Sequence, residues 1–287
     1  MARADRDARP RGRRRPLVRT GAPSLPPRSF SPPEGFQTIT ASNSSPYTLE
    51  GTNTYFLGGP RAIVIDPGPD DRAHVARVLD RTREAGRSVG LILVTHAHRD
   101  HSGAAEELSR ASGAPVGMWR TGDRPLEDDQ IVTLDGVRLR ALHTPGHAPD
   151  HIVFYWEDRR ALFSGDLVLG SGTVTVSPPA GSMEDYMRSL ERAAGLDLEV
   201  IGPGHGPMIF DPAARIAEYI AHRRMRERQV LEALAGGPRT PGEVAGTLYQ
   251  NLDPRLHPAA EGTVLAHLVK LVRDGRARRE GNRYSLP

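Results

Sequence analysis

The run Thr95-His96-Ala97-His98-Arg99-Asp100-His101 constrains this chain more than any other stretch. It sets four metal-ligating side chains (His96, His98, Asp100 and His101) within six residues, directly behind the apolar Leu91-Ile92-Leu93-Val94. A short apolar run that stops at polar residues reads as a buried strand releasing its ligands into a loop. Imidazole and carboxylate donors suit zinc and related borderline metals. Four ligands this close crowd a single tetrahedral ion. The spacing therefore points to two neighbouring ions, with His96 and His98 on one and Asp100 and His101 on the other. Such a pair polarises an electrophile and lowers the pKa of a bridging water, making hydroxide available near neutral pH.

Further ligands follow, each in a Gly/Pro turn. His147 closes Thr144-Pro145-Gly146-His147. Asp166 closes Ser164-Gly165-Asp166 behind the apolar Ala161-Leu162-Phe163, and His205 lies in Gly202-Pro203-Gly204-His205-Gly206 behind Glu199-Val200-Ile201. The pattern is one of strand, tight turn and ligand, and strand-end loops on a rigid scaffold are where catalytic groups are usually carried. Seven ligands from four such loops suffice for a closed two-metal centre with a bridging carboxylate.

In order and at every motif, this set resembles the metallo-β-lactamase-fold superfamily. The resemblance implies a four-layer αβ/βα sandwich, an α/β (α+β) fold, with the site at one edge between two sheets. It implies that His96, His98 and His147 hold one metal, that Asp100, His101 and His205 hold the other, and that Asp166 bridges them. Two Zn2+ ions are expected, with Mn2+ or Fe2+ as alternatives. Asp100 is the expected catalytic residue, orienting the bridging hydroxide and accepting its proton. Asn53 and His151 are the candidates to support the ligands from behind, because ligating histidines need an acceptor behind them; His151 is read first as structural, and Asn53 equally suits the cap of a turn. His74 and His143 are expected to be structural.

Composition narrows the class. The chain has 287 residues and no cysteine, which excludes disulfides, thiolate metal sites and the Cys ligand of some β-lactamases of the superfamily. No run of 18 apolar residues is present, so no membrane span is expected, and the expected location is cytoplasmic. The net charge of +3 misleads: residues 1–28 carry nine Arg and two Asp, and the rest of the chain carries 29 basic and 33 acidic residues. Residues 1–34 are expected to be a disordered Arg/Pro-rich tail. It is read as a solvated extension or an early start rather than a nucleic-acid or targeting arm.

From Phe36 the pattern becomes structured. Strands are expected at 36–40, 52–57, 62–66, 91–94, 116–119, 131–134, 137–142 and 152–156, and helices at 70–85, 102–112 and 182–194. The catalytic domain is expected to span 35–211. Residues 212–287 are expected to form a linker helix, 212–234, and a small winged helix: helices at 241–249 and 258–272, then a hairpin around Gly281. Thr240 and Pro241 suit an N-cap and first helical position. Arg273, Arg276, Arg278, Arg279 and Arg283 are either a nucleic-acid face or a solvated face of a packing module; the latter is favoured.

Within the superfamily, the chain resembles the β-lactamase-like protein 2 group, which joins this domain to a C-terminal winged helix. The matching residues are Gly51 to Tyr55, Thr95 to Gly103, Thr144 to His147, Ser164 to Asp166 with Leu169-Gly170, and Gly202 to Pro207. His222-Arg223, Arg226-Glu227 and Gln229 also match. Asp166 favours hydrolases of thioesters, phosphodiesters and lactones over β-lactam specialists. His98 stands where di-iron oxidoreductases of the superfamily commonly carry Glu. The 39 positions between Asp166 and His205 leave no room for the large insert of the β-CASP nucleases. The expected function is hydrolysis of an ester, thioester or related bond of a small molecule. The group includes a single-strand endoribonuclease, so single-stranded RNA is the alternative substrate, with the winged helix as platform. A complete ligand set argues against the third reading, a regulator built on a vestigial fold.

Overall fold

The parallel strand pairs decide where the site forms. In the computed structural model, which describes residues 35–287, the first sheet pairs β1 (Phe36–Thr40), β2 (Asn53–Leu57), β3 (Arg61–Ile65), β4 (Ser88–Leu93), β5 (Val116–Trp119) and β6 (Thr121–Gly122) in that order, with β7 (Arg124–Leu126) also on β5. The tail, 1–34, lies outside the described residues. The second sheet has the order β12-β11-β10-β9-β8, formed by β8 (Gln130–Leu134), β9 (Val137–His143), β10 (Ile152–Trp156), β11 (Ala161–Gly165) and β12 (Val200–Pro203). The pairs β3/β4, β4/β5 and β11/β12 are parallel. Each needs a crossover, supplied by α1 (Arg72–Glu84), by α2 (Arg99–Ser102) with α3 (Ala105–Ser112), and by α4 (Met183–Ala194). Parallel pairing brings the carboxyl ends of β3 and β4 to one edge, and those of β11 and β12 likewise.

The strand sequences are apolar on both faces because each sheet is covered on both sides. Along β3, Ile63 and Ile65 face the other sheet while Val64 faces α1 and α3; along β11, Ala161 and Phe163 point inward and Leu162 outward. Tyr55, Leu57, Leu91 and Leu93 meet Leu139, Phe154 and Phe163 between the sheets. Val75, Val78 and Leu108 cover the first sheet, and Met183, Tyr186 and Leu190 cover the second. The result is the four-layer αβ/βα sandwich. Local sequence starts the helices: Asp71 caps α1 by accepting from the Ala73 N–H at 2.9 Å, and Ser182 caps α4 by accepting from the Asp185 N–H at 3.3 Å.

One expectation changes. The ligand run is not a free loop followed by one helix. A single turn, α2, begins inside it, with the His101 N–H donating to His98 O at 2.9 Å. Gly103 follows α2 with helical dihedrals, and the 69–70 backbone packs so closely there that a Cβ would stand 2.5 Å from the Asp70 nitrogen.

The C-terminal region is a winged helix. It comprises α5 (Pro212–Leu234), α6 (Pro241–Leu248), α7 (His257–Arg273) and the hairpin β13 (Arg278–Glu280) with β14 (Arg283–Ser285). Thr240 and Glu243 form a capping box at α6. Helix α5 serves two cores: Ile216 and Tyr219 pack on the second sheet, while Val230 and Leu234 pack with Val244, Leu268 and Tyr284. All described residues lie in one compact unit.

His267 on α7 is buried, and neither ring nitrogen has a hydrogen-bond partner. Burial, then the charges of Arg223 and Lys270, pushes its pKa down to about 3. An unfolded chain protonates this ring near 6.5, so stability is full above that pH and is lost as pH falls from about 6.5 towards 3. The difference in unfolding free energy between the parent and His267→Leu is expected to change by up to about 1.4 kcal/mol per pH unit across that window. Denaturant titrations of both proteins at several pH values check it; parallel curves would mean that the ring is not held neutral.

Candidate metal centre

The four loops named by sequence open at one edge of the sandwich. The Thr95–His101 run leaves β4, the loop bearing His147 joins β9 to β10, and Asp166 and His205 follow β11 and β12. Backbone bonds tie these ends together: Ile152 N–H to Thr95 O at 2.8 Å, Gly204 N–H to Gly165 O at 2.9 Å, and Asn53 N–H to Gly204 O at 2.8 Å. Two glycines permit the convergence. Gly146 has φ +135°, and a Cβ there would meet the Tyr186 backbone at 2.3 Å. A Cβ on Gly204 would stand 2.7 Å from His101 Cε1 and 2.9 Å from Asp166 Oδ1.

All seven expected ligands come together. His98 Nδ1 lies 2.8 Å from His96 Nε2 and 2.9 Å from His147 Nε2. His101 Nε2 lies 3.2 Å from His205 Nε2, and Asp100 Oδ2 lies 3.3 Å from His205 Nε2 and 3.6 Å from His101 Nε2. Asp166 stands between the two groups, with Oδ2 3.5 Å from His147 Nε2 and Oδ1 3.4 Å from His101 Nε2 and 3.5 Å from His205 Nε2. His96, His98 and His147 form one set within ligand reach of a single ion, and Asp100, His101 and His205 form another.

In four of the five rings the outer nitrogen fixes which nitrogen faces inward. His101 Nδ1–H donates to Asp66 Oδ2 at 2.9 Å, His147 Nδ1–H to Thr175 O at 2.8 Å, and His205 Nδ1–H to Gly51 O at 3.1 Å. Thr95 Oγ1 gives its proton to Asp66 Oδ2, so it accepts from His96 Nδ1–H at 3.0 Å. The Nε2 lone pairs of His101 and His205 therefore face each other, and those of His96 and His147 both face His98 Nδ1, which has at most one proton to give; a cation relieves both crowded contacts. Asp166 Oδ1 is buried and accepts no hydrogen bond, which is costly for a carboxylate unless a cation meets it. This donor set fits divalent metal ions of the zinc type.

The electrostatics agree. Burial raises the Asp166 carboxyl, but His101, His205 and His147 outweigh it and hold it well below the usual carboxylate range. Burial, then the like charge of His101 and His147, keeps His96 far below the ordinary imidazole value. Burial also lowers His101, yet Asp66 and Asp166 on either side dominate and favour its cationic form strongly. The site thus demands positive charge between its carboxylates.

The expected supporting residues lie close behind. His151 accepts from the Asp166 N–H at 3.1 Å and pairs with Thr144 Oγ1 at 2.9 Å, joining two ligand loops. Asn53 donates to Pro203 O at 3.0 Å and to Gly206 O at 2.9 Å, splinting the His205 turn. His74 is buried against Thr54 Oγ1 at 2.9 Å, and His143 stacks on Trp119 at 3.8 Å; both stand outside the ligand set. Sequence reasoning missed Asp66. It accepts from the Thr95 N–H and hydroxyl and from His101, and so braces the ligand run. Its only signal was a carboxylate ending an apolar strand before Pro67-Gly68.

The sequence matches the metallo-beta-lactamase superfamily over residues 47–129 and 116–205 and the beta-lactamase associated winged helix domain over 240–284. It is 34% identical to the beta-lactamase-like protein 2 homolog of Drosophila melanogaster, over 84% of this chain and 88% of that one. Among solved structures it is similar to a metallo-beta-lactamase family protein from Thermus thermophilus, with TM-score 0.76 and 27% identity over 88% of this chain and 99% of the other. It is also similar to a protein solved in a di-iron-bound form, with TM-score 0.52 and 29% identity over 63% and 98%. With fold, motifs and both regions matched, this chain belongs to the metallo-beta-lactamase superfamily of metal-dependent hydrolases and carries that superfamily's associated winged helix.

Proposed function

We propose that this protein is a cytoplasmic di-zinc hydrolase cleaving an ester, thioester or related bond of a small molecule. One observation carries the reading: three imidazoles, His98, His147 and His205, and the carboxylates of Asp100 and Asp166 form the floor of a cavity of about 600 Å³ whose walls are mainly apolar, with His96 and His101 buried beside them in the same cluster. That size and character suit a small-molecule site. In this reading His96, His98 and His147 would hold one ion, Asp100, His101 and His205 would hold the second, and Asp166 would serve both. When bound, such ions supply Lewis acidity towards the scissile group and acidify water. The functional division is 35–211 for the catalytic domain and 212–287 for the module that completes the cavity.

The chain's own groups do the rest. Asp100 lines the cavity. Burial raises its carboxyl, but His205 and His101 outweigh this and keep it ionised at neutral pH. It orients the attacking water and takes up its proton. Asp66, Thr175 O and Gly51 O hold the His101, His147 and His205 rings with Nε2 inward. His151 and Asn53 fix the turns that carry Asp166 and His205.

The arginines of the winged helix support a small substrate over RNA. Arg273 faces Glu184 at 3.6 Å, Arg276 faces Glu227 at 2.7 Å, and Arg283 faces Glu243 at 3.3 Å, so part of the available positive charge is already neutralised. Polyanion binding needs it free. The test is a paired assay on zinc-loaded protein, with manganese- and iron-loaded samples beside it. A panel of acyl thioesters and aryl esters and a labelled single-stranded RNA are offered in parallel, with His96→Ala as control. We expect ester or thioester turnover that His96→Ala abolishes. RNA cleavage lost in that control, without ester turnover, would instead make this a ribonuclease.

A further inference from the structure

The cavity above the metal centre is completed by the winged helix. Its floor holds His98, Asp100, His147, Asp166 and His205, and one side is Leu169 with residues 171–175. The opposite wall is Tyr249, Leu252, Leu256 and Ala260 from the C-terminal module. Tyr47, also in the wall, donates its hydroxyl to Arg255 O at 3.0 Å and clasps the 46–49 loop onto that module. Such a wall offers dispersion and desolvation, not phosphate contacts, so it suits the apolar body of a small molecule.

Arg223 is the only arginine or lysine lining this cavity among the described residues, and it is 2% exposed. Its Nη2 donates to Val174 O, its guanidinium lies over the Tyr186 ring at 5.1 Å, and its Nε is buried without an acceptor. No carboxylate of the described residues forms an ion pair with it, although neighbouring Arg215, Arg224 and Lys270 each have one. Its nearest titratable neighbours do not offset the charge. Burial and then Arg223 push His222 down to about 4, and burial and then Arg223 keep His267 neutral too. A buried guanidinium without a counter-charge is unfavourable, and its planar fork matches a carboxylate or phosphate.

We infer that Arg223 binds an oxyanion group of the substrate, which is therefore a small anionic molecule with an apolar body lying against Tyr249, Leu252 and Leu256 and its scissile bond at the metal centre. This rests on the small-molecule hydrolase reading above.

The test compares matched 4-nitrophenyl esters on the full-length zinc-loaded protein. The octanoate is neutral beyond its ester, and the hemisuberate carries a free terminal carboxylate. The parent is expected to prefer the hemisuberate. Arg223→Gln is expected to cut the anionic-to-neutral ratio of kcat/KM by at least about tenfold, mainly through KM, and Arg223→Lys to recover part of it. A parent without that preference, or a variant that loses both substrates equally, would overturn the inference; the first of these needs no folded variant. Binding is read separately by calorimetry with suberate, 4-phenylbutyl phosphate and neutral 1,8-octanediol. Anions binding about tenfold more weakly to Arg223→Gln at equal metal content would uphold the anion site even if no ester is turned over, and then only the hydrolase reading fails. Equal affinities would sink the site. Stronger loss for the phosphate or for suberate identifies which oxyanion the pocket takes.

Discussion

Replacing Asp166 with alanine is expected to lower metal content and turnover together, with kcat/KM falling by about three orders of magnitude, or about 4 kcal/mol. The geometry sets the size. The two carboxylate oxygens face different ligand groups, Oδ2 towards His147 at 3.5 Å and Oδ1 towards His101 and His205 at 3.4 and 3.5 Å. No other side chain reaches both groups with a separate oxygen for each among the described residues. Removing it leaves five imidazoles and Asp100 with too little negative charge to hold two dications close together. Asp166→Asn keeps the volume and one acceptor but not the charge, so it should lose the second ion while melting close to the parent. Metal analysis by mass spectrometry beside ester kinetics reads both effects. An Asp166→Ala protein that retained two ions and full turnover would remove this residue from the centre.

Much of this candidate centre was legible because each candidate ligand follows the same local grammar, an apolar strand closed by a tight turn. His147, Asp166 and His205 sit in Gly/Pro turns whose backbones admit few alternatives, and the Thr95–His101 run concentrates four ligands in one place. Asp66 lacked such a marker. Its contacts reach Thr95 and His101, 29 and 35 residues onward. They exist because the β3/β4 register sets Ile65 beside Leu93 and brings the Asp66 N–H to Leu93 O at 2.9 Å. Parallel pairing through a crossover helix is a tertiary fact that periodicity does not encode. The cavity wall was hidden for a related reason. The apolar face of α7 expected at Val264, Leu265, Leu268, Val269 and Val272 announced the module's own core, in which Val264 and Leu268 are buried and against which Leu265 and Val272 pack. Ala260 and Thr263, small residues near the start of the same helix, gave no sign that they face the cavity. Arg223 was visible as part of the matching His222-Arg223 pair and as one of several arginines on α5. That it has no ion-pair partner among the described residues is a property of the packed state.

Asp66→Asn is expected to weaken metal binding by about 10- to 100-fold and turnover by at least as much, although Asp66 touches no ion in the proposed arrangement. The carboxylate takes three hydrogen bonds: Thr95 N–H at 2.8 Å, Thr95 Oγ1 at 2.9 Å and His101 Nδ1–H at 2.9 Å. An asparagine can keep the bond from the Thr95 N–H, but its amide NH2 then faces His101 Nδ1. Two donors cannot share that contact. The ring resolves the conflict by moving its proton to Nε2, which withdraws the inward lone pair from the centre. The backbone does not confuse the result: Asp66 has φ +50°, a conformation asparagine adopts readily. Metal titration should show the loss, and excess zinc should restore part of the activity. Nitrogen-15 NMR of the imidazoles should show His101 changing tautomer in the variant while His147 and His205, held by backbone carbonyls, do not. An Asp66→Asn protein with parental affinity and an unchanged His101 signal would mean that the ring is fixed by its packing alone. In that case the carboxylate behind it serves β3 and β4 rather than the centre.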